Sequence, residues 1–426
     1  MQIAAYVLDI SDKPLMPISK FKRVRKLLKE NKAKVVHREP FTIKLLYEPE
    51  TKIVQEGVLG IDTGSKYIGA AVYSEGRILY ASEVEIRNDI TKKMDARRSY
   101  RRNRRYRKTR YRKPRFLNRE NSTKKDKYSP TMISKFNSHV REIEFIKNIL
   151  PISRLVLEMS QFDTHLMKNP ALANPKIKPW GYQKGENYGF ADSREHALFR
   201  DKHTCQCCGA KKVRLEVHHI VYRSNGGTND LSNLITLCEK CHKKVHAGKI
   251  AINKKPKKTT NFKDATTMSI LRSMLLKRYS EAIETFGYIT KENRFKLNLP
   301  KEHFIDACVI ASGGKPFELP KYYYKKKHVS KGDYQLTKGI KGETKIPMGK
   351  IQGFRKFDKV LYFGEDYFIK GRMSKGYAVL MDIDGNTIKF DDKPRGYKTP
   401  KLPNLIKISA RSTTLCTKVK TMLSIA

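Results

Sequence analysis

The sequence predicts a multidomain α/β protein. A split α/β core is interrupted by an arginine-rich helix and by a small metal-stapled module; a small α/β unit precedes it and a β-rich region follows. Three observations predict this. Val58–Tyr73, VLGIDTGSKYIGAAVY, runs apolar to Asp62, turns at Thr-Gly-Ser and returns apolar, the pattern of two adjacent strands joined by a tight turn. Acidic strand or helix ends come back far downstream, at Glu158 and at His303 and Asp306, so the intervening chain reads as insertions into one fold. Two Cys-x-x-Cys pairs, Cys205/Cys208 and Cys238/Cys241, lie between those returns.

Residues 1–52 read as the small α/β unit: IAAYVLDI a strand, SDKPLMPIS a proline-punctuated loop, FKRVRKLLKENKA a basic helix, KVVHREPFTIKLLYE two strands. Phe21, Val24, Leu27 and Leu28 share one face of that helix. Residues 53–92 supply the first core segment, three strands ending with RILYASEVEI. The arginine-rich helix takes 93–118. The second core segment, 119–165, holds a helix over Thr131–Leu150, with Ile133, Phe136, Val140, Ile143, Ile146 and Ile149 in phase. Pro151 stops it, and the buried strand RLVLEMSQFD carries Glu158. Pro, Asn and Gly mark 166–187 as a linker, 188–250 is the metal-stapled module, and 251–319 is the third core segment. There a Lys/Pro linker precedes a helix over Ala265–Phe286, a hairpin at FGYITKENRFKLNLP and a helix at KEHFIDACVIAS. Residues 320–426 alternate short strands with Gly and Lys, as a small barrel or curled sheet does.

The 426 residues hold 89 Lys and Arg against 42 Asp and Glu, a net charge of +47. Self-repulsion on that scale calls for a polyanionic partner. Membrane surface is the competing partner, but the sequence shows no long apolar span, signal peptide or lipidation motif. A large structured nucleic acid fits the excess better. The run from Arg97 to Arg115 has almost no acid and no apolar face. Arg97, Arg98, Arg101, Arg102, Arg104, Arg105, Arg107, Arg110 and Arg112 alternate with Tyr100, Tyr106 and Tyr111. Guanidinium forks bind phosphate, and both residue types stack on bases, so a helix laid against RNA is expected. Around α-helical Val24, Lys22, Arg23, Arg25, Lys26 and Lys29 are explained as well by a solvated basic face as by RNA contact.

Of seven cysteines, Cys205, Cys208, Cys238 and Cys241 have the spacing of a tetrahedral structural Zn²⁺ site in a reducing compartment. A module this small buries little core, so a metal staple suits it. Cys207 has no assigned role; Cys308 and Cys416 read as small apolar residues. Between the knuckles lie the strand LEVHHI with His218 and His219, a Gly-Gly loop, Asn233, and then His242 and His246 one helical turn apart. A zinc-ribbon binding module with incidental histidines is the plainer alternative.

Asp62, Glu158, His303 and Asp306 form the second constellation. His303 and Asp306, three apart on a helix, share a face. With the two strand-end acids they could hold two Mg²⁺ (or Mn²⁺) about 4 Å apart, for the attacking water and the leaving oxygen. Singly each motif is weak. GIDTGS also suits phosphate loops of sugar kinases, and Glu158 alone could be a salt-bridge partner. Asp163 and Glu302 are read as solvated.

Residues 205–246 resemble the HNH nucleases, a ββα-metal fold. That resemblance implies His218 and His242 as ligands of the catalytic divalent ion and His246 as an additional one. It implies His219 as the general base, with Asn233 orienting the imidazole or steadying the loop. The acidic constellation is similar to RuvC nucleases of the RNase H-like fold. The order of parts, with an arginine helix after Asp62 and an HNH module before His303, resembles the IscB family of transposon-encoded (OMEGA) RNA-guided DNA endonucleases. Pro14-Leu15-Met16-Pro17 matches the PLMP signature that names the family's first domain. The likeness covers residues 1–310 and is loose beyond, and the chain is short for the family.

The resemblance implies a guide (omega) RNA on the basic surfaces, paired with one strand of double-stranded target DNA. It implies the HNH module cutting the guide-paired strand and the RuvC site the displaced strand, with a C-terminal domain reading a target-adjacent motif. A monomeric, cytoplasmic ribonucleoprotein is expected, acting on the nucleoid. Two rivals stand: a guide-independent nuclease, and an RNA-binding structural protein with inactive sites.

Overall fold

In the computed structural model, which describes residues 3–49, 54–106, 128–185, 187–252, 262–331, 349–392 and 398–421, the chain opens with a four-stranded sheet. Its strands β1 (Ala5–Leu8), β2 (Pro14–Ile18), β3 (Ala33–Arg38) and β4 (Phe41–Leu45) lie in the order β2-β1-β4-β3. Helix α1 (Phe21–Lys29) buries Val24 and Leu27 against Ala5, Val7 and Ile43, while Phe21 stays 48% exposed. The stretch expected as a proline-punctuated loop contains β2. Pro14 and Pro17 are tolerated because β2 is an edge strand, where outward amides need no partner.

The core follows. β5 (Val58–Asp62), β6 (Tyr67–Ser74) and β7 (Arg77–Glu85) form an antiparallel meander. Helix α2 (Ile90–Tyr106) carries the start of the arginine run. Helix α3 (Pro130–Lys147) begins at a Ser129 cap, whose hydroxyl accepts from the Met132 amide at 3.3 Å, with Pro130 in the first turn. Strand β8 (Arg154–Met159) pairs parallel to β5 in a register that sets Glu158 beside Asp62.

Residues 162–266 form a unit of their own. The expected linker contains α4 (Thr164–Lys168), a 3-10 turn at Pro170–Ala173 and α5 (Lys178–Gly181). Asp163, read as solvated, caps α4 by accepting from the Leu166 amide at 2.9 Å. Then come α6 (Ser193–Arg200), the antiparallel pair β9 (Leu215–His219) and β10 (Leu234–Cys238), and α7 (Glu239–His246).

The chain then re-enters the core unit. Helix α8 is Lys263–Arg278, and β11 (Ile283–Phe286) runs parallel to β8. The expected helix over Ala265–Phe286 therefore ends early, because a ladder to β8 satisfies the last four residues. The expected hairpin is instead helix α9 (Gly287–Lys296). Its inward face is polar, Thr290 and Arg294, so no apolar periodicity advertised it. Helix α10 (His303–Ser312) stops at Gly313 in the left-handed region, φ 63°. Strand β12 (Tyr322–His328) follows, then β13 (Lys359–Tyr362), β14 (Glu365–Arg372), β15 (Ala378–Met381), β16 (Ile406–Ser409) and β17 (Thr414–Lys420). β13 to β16 make the expected curled β unit around Val360, Ile369 and Leu380. β12 and β17 do not join it; they complete the core sheet, whose order is β11-β8-β5-β6-β7-β12-β17.

That sheet is covered on both faces, so its central strands are apolar throughout. Leu59, Ile61 and Leu157 pack with Ile143 and Ile146 of α3 and Leu271 and Leu275 of α8. Each such side chain contributes about 1.5–3 kcal/mol. On the other face α10 lies so close that a Cβ on Gly60 would sit 2.4 Å from the Ala311 nitrogen, and one on Gly69 1.9 Å from the His303 carbonyl oxygen. Those two glycines let α10 bring its first turn to the end of β5. Glu142 of α3 is buried within this core and accepts from Tyr80 Oη (2.9 Å), Ser82 Oγ (2.7 Å) and Lys326 Nζ (2.8 Å). Neither the acid nor its lysine was foreseen from helix phase.

Candidate functional site: an acidic cluster and a histidine cluster

Asp62, Glu158, His303 and Asp306 converge at the ends of β5 and β8 and the start of α10. Asp62 and Glu158 are register partners, and His303 Nδ1 donates to Asp62 Oδ2 at 2.7 Å. That bond leaves His303 Nε2 with its lone pair and raises the imidazole's pKa. Burial first, and then the Asp62 charge, pushes Glu158 up to about 7. The same two causes push Asp306 up to about 6, against the pull of Arg294. Carboxylates crowded together without a cation resist ionising together, the condition that a divalent ion relieves. The donor set fits a hard cation, since it is oxygen-rich with one imidazole.

Several neighbours of this cluster escaped the sequence reading. Arg294 Nε lies 2.8 Å from Asp306 Oδ1, and the Thr290 hydroxyl donates to Glu158 Oε2. Thr63 Oγ1 donates to the Glu158 carbonyl. Glu83 on β7 adds a further acid, its pKa raised by burial, within the field of His303 and Asp62. Tyr67 stacks on His303, ring centroids 5.4 Å apart. The EVE alternation in β7 was the one available signal, for Glu83. Arg294 and Thr290 were hidden by reading α9 as a hairpin. Glu302 is exposed, as expected.

In the second unit His218, His242 and His246 bring ligand nitrogens within 4.8 Å of one another. His218 comes from β9, the other two from successive turns of α7. His242 Nδ1 donates to Glu216 Oε2 at 2.6 Å, so its Nε2 faces His246 Nε2, 3.1 Å away. Burial, reinforced by the neighbouring imidazoles, lowers His218 to about 4, keeping it neutral at pH 7 as a metal ligand must be. Glu216 is the carboxylate partner that such ligands carry, and it was not anticipated. His219 points elsewhere, as strand alternation requires. Its Nε2 donates to Asn229 Oδ1 at 2.9 Å, which leaves Nδ1 as the free basic nitrogen. Arg223 also donates to Asn229, at 2.7 Å. Asn233 steadies the loop: it accepts from the Val221 amide (2.8 Å) and donates to the carbonyls of Val221 (3.1 Å) and Thr228 (2.8 Å). All three bonds go to backbone groups, not to an imidazole.

Cys205, Cys208, Cys238 and Cys241 also hold their sulfurs within 4.8 Å of one another, with Cys208 and Cys238 3.7 Å apart. Tetrahedral Zn–S bonds of about 2.3 Å place sulfurs at about that separation. Burial opposes ionisation of Cys205, but backbone amides of Cys208, Cys238 and Cys207 bring its thiol down to about 6, toward the thiolate that zinc takes. Cys207 is exposed and stands outside the quartet. Among the described residues the histidine trio and the cysteine quartet are the clusters this tight. The acidic cluster is more open.

On α2, Arg97, Arg98, Arg101 and Arg102 are exposed. Arg104 and Arg105 lie in its last turn, whereas Arg107, Arg110 and Arg112 fall outside the described residues.

A ββα unit thus gathers histidines at one end and four thiols at the other, within a strongly basic α/β chain. The profile of the family described as HNH endonuclease matches residues 205–248. The profile described as RRXRR protein matches residues 5–185, and Arg101–Arg105 spell its pattern. Anaredoxin of Nostoc sp. strain PCC 7120 is 34% identical over 53 residues, 12% of this chain and 70% of that protein. Two solved structures of Streptococcus thermophilus Cas9 are also similar. The one in complex with the AGAA PAM has 13% identity, a TM-score of 0.29 and 44% of this chain covered. The one in complex with AGGA PAM has 14% identity, a TM-score of 0.33 and 57% covered. The chain spans 26% and 32% of the length of those two Cas9 chains.

Proposed function

We propose that the protein is an RNA-guided DNA endonuclease of IscB type, cutting the guide-paired strand at the HNH histidines and the displaced strand at a RuvC-like acidic cluster. The observation that carries this is the presence, in one chain of net charge +47, of a histidine trio beside a cysteine quartet and, apart from both, a cluster of carboxylates with one imidazole. Guide RNA lies along the exposed arginines of α2 and the other basic surfaces, and base pairing selects the target.

At the HNH site His218, His242 and His246 would hold a divalent ion, with Glu216 fixing the tautomer of His242. When bound, that ion stabilises negative charge at phosphorus. His219 takes the proton of the attacking water on Nδ1, since Asn229 occupies Nε2. Asn233 keeps the 221–228 loop in place. At the acidic site Asp62, Glu158 and Asp306 would hold Mg²⁺ or Mn²⁺, Arg294 and Thr290 aim the carboxylates, and His303 Nε2 accepts the water's proton. The cysteine quartet holds Zn²⁺ as a structural staple. Residues 53–92, 119–165 and 251–319 form the RuvC-like core, to which β12 and β17 add the last two strands.

Sequencing the RNA that copurifies with the protein tests the reading, together with cleavage of a matched duplex. One long structured transcript, and Mg²⁺-dependent cutting of both strands only where the duplex matches it, is the expected result. Cutting by RNA-free protein, or uniform RNA without any cutting, overturns it.

A further inference from the structure

The 162–266 unit presents an exposed aromatic strip outside both metal clusters. Trp180 on α5, Tyr188 and Phe199 on α6 are 50%, 62% and 63% exposed. Lys184 bridges the first two, its ammonium 4.3 Å from the Trp180 ring and 5.0 Å from that of Tyr188. Two residues after Tyr188, Phe190 stacks on His196 at 4.2 Å and 10° and meets Phe199 at 5.2 Å. The strip is held, not frayed. Asn187 Nδ2 donates to Ser193 Oγ at 2.9 Å, and Arg200 ties α6 to the carbonyls of Leu231 and Leu234 beside β10. Of the described acids nearby, Asp192 caps α6 and Glu195 accepts from the Ala191 amide.

Scattered exposed rings need no explanation, but contiguous ones do. Rings alternating with a cation suit a polyanion that has flat faces, and the unit carries twenty Lys and Arg against nine Asp and Glu between residues 162 and 266. We infer that Trp180, Lys184, Tyr188 and Phe199 form a stacking platform for unpaired bases of a DNA strand. The choice of DNA rests on the nuclease reading above, since pairing of a guide with one strand of a duplex leaves the bases of the other strand unpaired.

The chain's single tryptophan reports directly. Full-length protein without added Mg²⁺ is titrated with oligothymidylate, with an abasic strand of equal length, and with oligouridylate, binding being followed separately by anisotropy. Oligothymidylate should quench tryptophan emission about twofold or more at saturation, while the bound abasic strand leaves it unchanged. Tyr188→Ala and Phe199→Ala should each weaken oligothymidylate binding about fivefold or more, and Trp180→Phe by less than about threefold. Equal quenching by the abasic strand, or saturation without quenching, overturns the platform. Tighter binding and stronger quenching by oligouridylate overturns the choice of DNA. Guided cleavage is measured on the same preparation. Quenching without cleavage defeats the nuclease reading alone, and cleavage without quenching defeats the platform alone.

Discussion

His219 and Asp62 carry the two halves of the proposed reaction, and each can be removed singly. Asp62→Ala should leave a nickase for the guide-paired strand and His219→Ala a nickase for the displaced strand. For His219→Ala the lost cut should slow by about 10²–10⁴-fold, the usual weight of a positioned acid–base group, and Asp62→Ala, which removes a metal ligand, should cost at least as much; strand-specific end labels read the outcome. Glu142 makes a different prediction. It is buried with Lys326, so Glu142→Gln strands a buried ammonium and should cost about 3–5 kcal/mol. Burial alone would raise the Glu142 carboxyl, but Lys326 and Ser82 hold it below its ordinary value of 4.5. Its contribution is therefore complete above that pH and lost as pH falls through the lowered folded value. His139 and His328, neutral in the core, are lowered to about 4 and about 3 chiefly by burial. The unfolded chain protonates them from about pH 6.5 downward, which favours unfolding in the same direction. Melting temperature should hold at neutral pH and fall progressively below about 6.5.

At the scale of elements, the zinc staple is the sharpest test. β9, β10 and α7 enclose a core of Ile235, Leu237 and Val245 that is continuous with Cys205, Cys238 and Cys241. Cys238→Ser should therefore lower bound zinc from about one equivalent to near none and unfold the module locally. The seven-stranded sheet should keep its cooperative transition; metal analysis and calorimetry check both. The same elements show what sequence could reveal. β5, β6, β9 and α7 were legible because periodicity, turn residues and ligand spacing agreed in them. α9 was not, because its buried face answers to Glu158 and Asp306, partners 132 and 12 residues away in the chain. β2 and β11 were obscured by prolines and by a preceding helix, since edge position and parallel pairing are decided by other strands. Asn229 and Glu216 were missed because nothing at their own positions signals that they bond to His219 and His242.

For the molecule as a whole, charge dominates association. Affinity for guide RNA should fall by about 10³-fold or more between 50 and 200 mM salt, as filter binding would show. The exposed side chains of Arg97, Arg98, Arg101 and Arg102 should account for part of that slope. The order of strands in the core sheet has a temporal consequence. Asp62 is synthesised 241 residues before His303, the partner it bonds, and β17 closes the sheet later still. During translation the nascent chain thus carries its first acid unpaired while the ribosome makes the arginine helix and then the zinc module. On the proposed reading, cutting at that site would wait for the last core strands to emerge, by which time the basic segments have already been exposed to RNA.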